Sequence, residues 1–148
     1  MAWIKAMGGG APAKFKIYDN GTWNVPYDNP GTWTGQTLIG ANINPSSVSV
    51  TSTASTGALI GTSNPVDLSA YTMVKIKAHN SGQATPSIIV TDAKSVDAAH
   101  ILARNVMPLN SDFTEYVVDV TNISTGYIAV HSSSNYVRTC EFIEITLE

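Results

Sequence analysis

Apolar and polar residues alternate along this chain over short stretches, and turn residues separate the stretches at regular intervals. A period of two is the mark of a β-strand with one face buried. It is cleanest at residues 74–79, where Val74, Ile76 and Ala78 share one face and Lys75, Lys77 and His79 the other. Val48 and Val50 alternate with Ser and Thr in the same way. Tyr116, Val118 and Val120 alternate with Val117 and Asp119, and Ile128 and Val130 with Tyr127, Ala129 and His131. At the C-terminus Ile143, Ile145 and Leu147 read as inward against Glu144, Thr146 and Glu148. Residues 15–18, 58–60 and 87–91 add shorter strands, for about eight or nine in all. Asn20-Gly21 between Tyr18 and Trp23 is the strongest short hairpin signal, because both residues tolerate positive φ. One exception to the β pattern is expected at residues 95–102, where Val96, Ala99 and Leu102 fit a short amphipathic helical piece. Short strands with turn punctuation and one-sided alternation predict an all-β fold, an antiparallel two-sheet β-sandwich with the jelly roll as the arrangement of choice.

Length and composition agree with one such domain. A chain of 148 residues is about the size of a single domain. Charged residues make up 13 % of it, about half the usual share, and Ser, Thr and Asn take their place. A net charge of −3 is the wrong sign for a nucleic-acid partner, which calls for a basic face. No apolar run reaches the roughly 18–20 residues of a membrane span. The single cysteine, Cys140, excludes an intrachain disulfide and reads as a small buried strand residue; no local motif supports its activation by His131 or Arg138.

The parse is an N-terminal arm over 1–14 followed by one sandwich over 15–148. Trp3, Ile4 and Met7 form an amphipathic hook ahead of Gly8-Gly9-Gly10, and no secretory apolar core of about 7–15 residues is present. The glycines would let the hook dock on a partner, and a fold-back onto its own domain is the equal alternative.

Catalytic signatures are missing: there is no Gly-x-Ser-x-Gly elbow, phosphate loop or His-Glu-x-x-His site. His79, His100 and His131 lie on separate elements, and no pair of carboxylates is singled out for glycoside hydrolysis. The expectation is therefore a protein that is not an enzyme and needs no cofactor. A structural Ca²⁺ on Asp19, Asn20, Asp28, Asn29 and Asp67 is the one metal alternative, although turn chemistry explains these residues equally well.

Surface recognition remains. Trp23, Tyr27 and Trp33 crowd a Pro- and Gly-rich segment just after Tyr18. Such rings either stack on sugar faces with Asn and Asp hydrogen-bonding the hydroxyls, or plug one end of the sandwich. Ser132-Ser133-Ser134-Asn135-Tyr136 is a second candidate loop, with a plain solvated turn as its alternative.

Three stretches carry a family resemblance: Tyr18-Asp19-Asn20-Gly21 with Gly31-Thr32-Trp33; Asn64-Pro65-Val66-Asp67-Leu68-Ser69-Ala70-Tyr71 leading into the strand at Val74; and residues 116–130 with the final strand from Phe142. In these the chain resembles small β-sandwich modules of phage and prophage tail and minor structural proteins, related in fold to carbohydrate-binding jelly rolls. The resemblance implies a non-catalytic virion structural or accessory protein, either a capsid decoration or tail- and baseplate-associated, assembled in the bacterial cytoplasm. Met1 and the short arm fit a free-standing virion subunit, with Trp3, Ile4 and Met7 anchoring it to other virion proteins. Together with the aromatic clusters above, this reading expects a homo-oligomer or multi-copy assembly and an outward-facing adhesion surface for host glycans at Trp23, Tyr27, Trp33 and Tyr136. The alternative is a stand-alone carbohydrate-binding module of a bacterial protein.

Overall fold

The computed structural model describes residues 13–82 and 86–148; the hook of Trp3, Ile4 and Met7 and the glycine triplet lie outside the described residues. Along the described chain the strands are β1 (Phe15–Asp19), β2 (Thr22–Trp23), β3 (Tyr27–Asp28), β4 (Leu38–Ile39), β5 (Asn42–Ile43), β6 (Val48–Ser52) and β7 (Gly57–Thr62). They continue with β8 (Val66–Asp67), β9 (Met73–Gly82), β10 (Ser87–Thr91), β11 (Ile101–Val106), β12 (Asn110–Asp119), β13 (Thr125–Ser132) and β14 (Arg138–Leu147).

Eight of these strands carry the architecture. β6, β14, β9 and β12 lie side by side in the first sheet, and β7, β13, β10 and β11 in the second. Every pairing among them is antiparallel. The strand order in both sheets is that of a jelly roll, so the expected fold class holds. Short strands extend the edges: β1, β2 and β5 on the first sheet, β3, β4 and β8 on the second, with β4 running parallel to β7.

The alternating residues do what their period predicts. Val48, Val50, Val74, Ile76, Ala78, Val118, Val120, Ile128 and Val130 all bury in the layer between the sheets. Each large aliphatic side chain so buried contributes roughly 1.5–3 kcal/mol. The Asn20-Gly21 hairpin forms as expected, with φ of 46° and 110° and Tyr18 opposite Trp23. Cys140 is fully buried, and burial pushes its thiol well up, so it is a neutral packing residue rather than a nucleophile.

Two expectations are corrected. Residues 95–102 do not form an amphipathic helix. A single 3₁₀ turn (Ala98–His100) leads straight into β11, and Leu102 is exposed. The apolar spacing belonged in part to a strand: Ile101 and Ala103 are half-buried, alternating with exposed neighbours. Ile143 is not one of the inward set. A β-bulge between Phe142 and Glu144 shifts the register by one. Inward facing therefore runs Cys140, Phe142, then Ile145 and Leu147, and the Ile143 carbonyl accepts a hydrogen bond from the Asn20 amide at 2.8 Å.

Candidate functional site

The outer faces of the two sheets differ in chemistry. On the first sheet lysines and carboxylates neutralise one another: Lys16 pairs with Glu144 at 3.2 Å, Lys75 with Glu148 at 2.9 Å and with Glu115 at 3.5 Å, and Lys14 with Glu148 at 3.2 Å. Beside them Glu141 accepts from Ser47 Oγ at 2.7 Å and bonds His79 Nε2. The Ser47 hydroxyl and then His79 hold its carboxyl below the usual range. This is not a nucleophile–base arrangement, because the carboxylate stands between serine and histidine and occupies both.

The outer face of the second sheet is built differently. Strand pairing puts Leu59 beside His131, Gly61 beside Ala129, and Ile89 beside both Ala129 and Arg104. Half of this face is closed by a loop. Thr34 donates its amide to Lys94 O at 3.0 Å and accepts from the Val96 amide at 3.0 Å, which clamps the loop to the one preceding β11. Lys94 Nζ also reaches Asp28 Oδ2 at 2.7 Å, and Ser63 Oγ donates to Asp28 Oδ1 at 2.8 Å. Lys94 and Ser63 together hold the Asp28 carboxyl below its ordinary range. Under this loop lies a small outer core of Trp33, Leu59, Ile89, Val96 and Ala129, with Leu38, Ile101 and Tyr127 partly buried around it.

The remaining half of the face is a groove of about 220 Å³. Ile89, Val96 and Ile101 form its aliphatic floor, and Gln36, Ser87, Arg104, His131 and Ser133 its polar walls. His131 Nε2 lies 3.2 Å from Gln36 Oε1. Burial, and then the positive charges of Arg138 and Arg104, push the imidazole down to about 4, so it is neutral at pH 7. A second depression of about 280 Å³, lined by Ala98, Leu102 and Ala103, adjoins the groove across Ile101 and Arg104.

Of the four sequence-predicted ligand residues, the structure unites only two. Trp23 and Tyr27 stack with centroids 4.7 Å apart and planes at 22°. They continue a column of rings through Tyr18, 5.0 Å from Trp23, to Phe142, 5.2 Å from Tyr18. Trp23 is half-buried, while Tyr27 is 40 % exposed at the end of the column. The column closes the side of the sandwich where β2 of one sheet meets β3 of the other.

Trp33 is a correction. Its ring is 5 % exposed and edge-on to Tyr127 at 5.9 Å, so it fills the outer core instead of offering a face to a ligand. Gly61 makes this possible, since a Cβ there would stand 2.8 Å from Trp33 Cζ2.

Tyr136 is apart from the Trp23–Tyr27 pair. It follows Ser132, which pairs with Ala58 at the start of β7, whereas Tyr27 pairs with Thr62 at the end of β7. It is 51 % exposed, with Arg138 Cζ 5.7 Å from its ring centroid. Arg138 Nη1 donates to Ser133 Oγ at 2.8 Å, which ties this loop to the groove wall.

The residues considered for calcium are dispersed into other work. Asp19 accepts from Asn20, Asn29 bonds the backbone of Ala41, Asp28 holds Lys94, and Asp67 accepts from the amide and hydroxyl of Ser69. These are turn and strap contacts. Among the described residues no three His, Cys, Asp or Glu side chains gather as a metal site, and no helix is long and apolar enough to cross a membrane.

The groove is not a local feature of the chain, because its residues come from the loop before β4, β10, the β10–β11 loop, β11, β13 and the β13–β14 loop. The one local clue was Ser133, inside the polar loop already singled out.

No protein-family model and no curated protein matches the chain. Solved structures do match over nearly the full length. A variant of a family 29 carbohydrate binding module in complex with mannohexaose superposes with a TM-score of 0.63 at 12 % identity, covering 91 % of this chain and 90 % of that one. Two further variants of modules of this family superpose with a TM-score of 0.61, one at 11 % identity over 93 % of this chain and 92 % of that one. The other is 12 % identical over 91 % of this chain and 90 % of that one. At these identities the likeness is one of fold: the chain shares the two-sheet β-sandwich of these structures.

Proposed function

We propose that this protein is a non-catalytic glycan-binding β-sandwich and that its binding site is the groove on the outer face of the second sheet. The observation that carries this reading is the groove itself. Polar side chains from five segments of chain converge over an aliphatic floor, on a face whose remaining half is sealed by a packed loop. Concave sites with a few convergent polar groups are where small ligands bind. Amide, hydroxyl and neutral imidazole groups suit sugar hydroxyls, which both donate and accept. The sandwich shared with the carbohydrate-binding modules supports the reading at the level of fold.

Calorimetric titration of the intact protein with a panel of oligosaccharides, mannohexaose included, tests it. Ser87→Trp, which fills the groove, is expected to abolish binding with the melting temperature retained, and Tyr27→Ala to leave binding unchanged. The opposite result moves the site to the exposed Tyr27 ring on Trp23. Absence of binding to every glycan removes the reading.

The virion placement rests on the sequence resemblance alone; the structural neighbours are carbohydrate-binding modules, and the hook lies outside the described residues. Deleting residues 1–12 is expected to leave a folded sandwich that no longer joins a larger particle. Unchanged incorporation in a particle-assembly assay would exclude the hook as the anchor.

A further inference from the structure

The distribution of charge around the groove says more about its ligand than its shape does. The chain has eleven carboxylate side chains, and all of them lie within the described residues. The ion pairs formed there use Lys14, Lys16, Lys75, Lys94, His79 and His100. Neither Arg104 nor Arg138, the only arginines in the chain, takes a carboxylate partner among the described residues. Both stand at this groove: Arg104 lines it, and Arg138 backs its Ser133 wall. No Asp or Glu lines either depression.

In a chain of net charge −3 whose ion pairs occupy Lys14, Lys16, Lys75 and Lys94, the groove keeps positive charge that no carboxylate offsets. An arginine presents a planar fork of donors that matches an oxyanion through two parallel hydrogen bonds. Arg104 is exposed and, with Ile101, lines both the groove and the adjoining depression. An extended ligand lying across both would pass Arg104.

Resting on the glycan-binding reading above, we infer that the groove selects an acidic saccharide, whose carboxylate or sulfate lies against Arg104 while Gln36, Ser87 and His131 take the ring hydroxyls. A neutral glycan would leave the Arg104 donors to water and gain only the hydroxyl contacts. The acidic substituent therefore decides specificity, and the aliphatic floor and neutral polar walls supply general sugar affinity.

The test is a calorimetric comparison using matched pairs that differ only in charge. One pair is oligogalacturonate and its fully methyl-esterified form; the other is a sulfated oligosaccharide and its desulfated form; mannohexaose is the neutral reference. The intact protein is expected to prefer the charged member of at least one pair by about tenfold or more, the usual size of a charge-assisted contact. The pair that shows the preference identifies the acidic group. Arg104→Gln is expected to erase the preference, with its melting temperature unchanged because the side chain packs at an exposed position. Arg104→Lys is expected to restore only part of it, since a point charge lacks the paired donors.

Equal affinity within both pairs overturns the inference, and so does a preference that survives Arg104→Gln. Binding of mannohexaose with rejection of both acids also overturns it while leaving the glycan-binding reading in place. Failure of every saccharide to bind removes that reading itself.

Discussion

Replacing Trp33 by alanine is expected to cost about 3–5 kcal/mol of folding stability, the usual range for deleting a large buried aromatic. The ring is sealed on all sides. Leu59, Ile89, Val96 and Ala129 pack around it, Tyr127 meets it edge-on, and Gly61 supplies the space that a Cβ would take. Removing it leaves a void that the surrounding strands cannot collapse, because the same strands are held on their other face by the main core. In a domain of this size such a loss lowers the melting temperature by about 10 °C or more. Trp33→Phe keeps much of the apolar contact and is expected to cost less.

Ile89 and Val96 belong both to this cluster and to the groove floor, so ligand affinity should fall together with stability in Trp33→Ala. Chemical denaturation of wild type and both variants measures the difference. A cost below about 1 kcal/mol, within the range of an ordinary surface substitution, would mean that the ring is not held in the cluster and is free to serve a ligand.

Acidification from pH 6.5 to pH 4 is expected to remove up to roughly 3 kcal/mol of stability through His131 alone, since each unit of pKa difference is worth about 1.4 kcal/mol. In the unfolded chain this imidazole takes a proton near 6.5, whereas burial and the neighbouring Arg138 and Arg104 hold it down to about 4 in the folded state. The folded form therefore stays neutral while the unfolded form gains a proton. Its contribution is complete above 6.5 and is lost as the pH falls toward 4. The figure is an upper value, because the imidazole is half-buried rather than sealed.

The lowered carboxyls of Asp28 and Glu141 act in a different window. Their unfolded values are 3.8 and 4.5, so their stabilisation is intact above those and is lost only as the pH falls through their still lower folded values. Denaturation midpoints at pH 7, 6 and 5 thus separate His131 from these two carboxylates, and the variant at that position isolates it. His131→Gln keeps a polar side chain of similar reach and is expected to flatten the profile over that interval. An unchanged slope in this variant would assign the effect elsewhere.

Much of the fold was legible because the period of two is a local property. Val74, Ile76 and Ala78, or Val48 and Val50, must share a face in any extended strand, and a two-sheet sandwich is how such faces are covered. The Asn20-Gly21 turn was legible for a similar reason, since its positive φ values belong to the residues themselves. The misreadings occurred where spacing alone is degenerate. Val96, Ala99 and Leu102 fit a helix as well as the start of a strand, and only the pairing of β11 with β10 decides between them. The alternation at Ile143 is broken by a bulge in the pairing of β14 with β9, where the Ile143 carbonyl accepts from the Asn20 amide of a distant turn.

The sequence by itself determined the all-β class, the inward set of most strands, and a composition poor in charge. Tertiary structure alone decided that Trp33 is core while Tyr27 is surface, although both stand in the same aromatic segment. It also decided that Arg104, His131 and Gln36 form one groove. The physical reason is common to both: burial and convergence depend on which strands become neighbours, and a jelly roll makes neighbours of strands far apart in the chain.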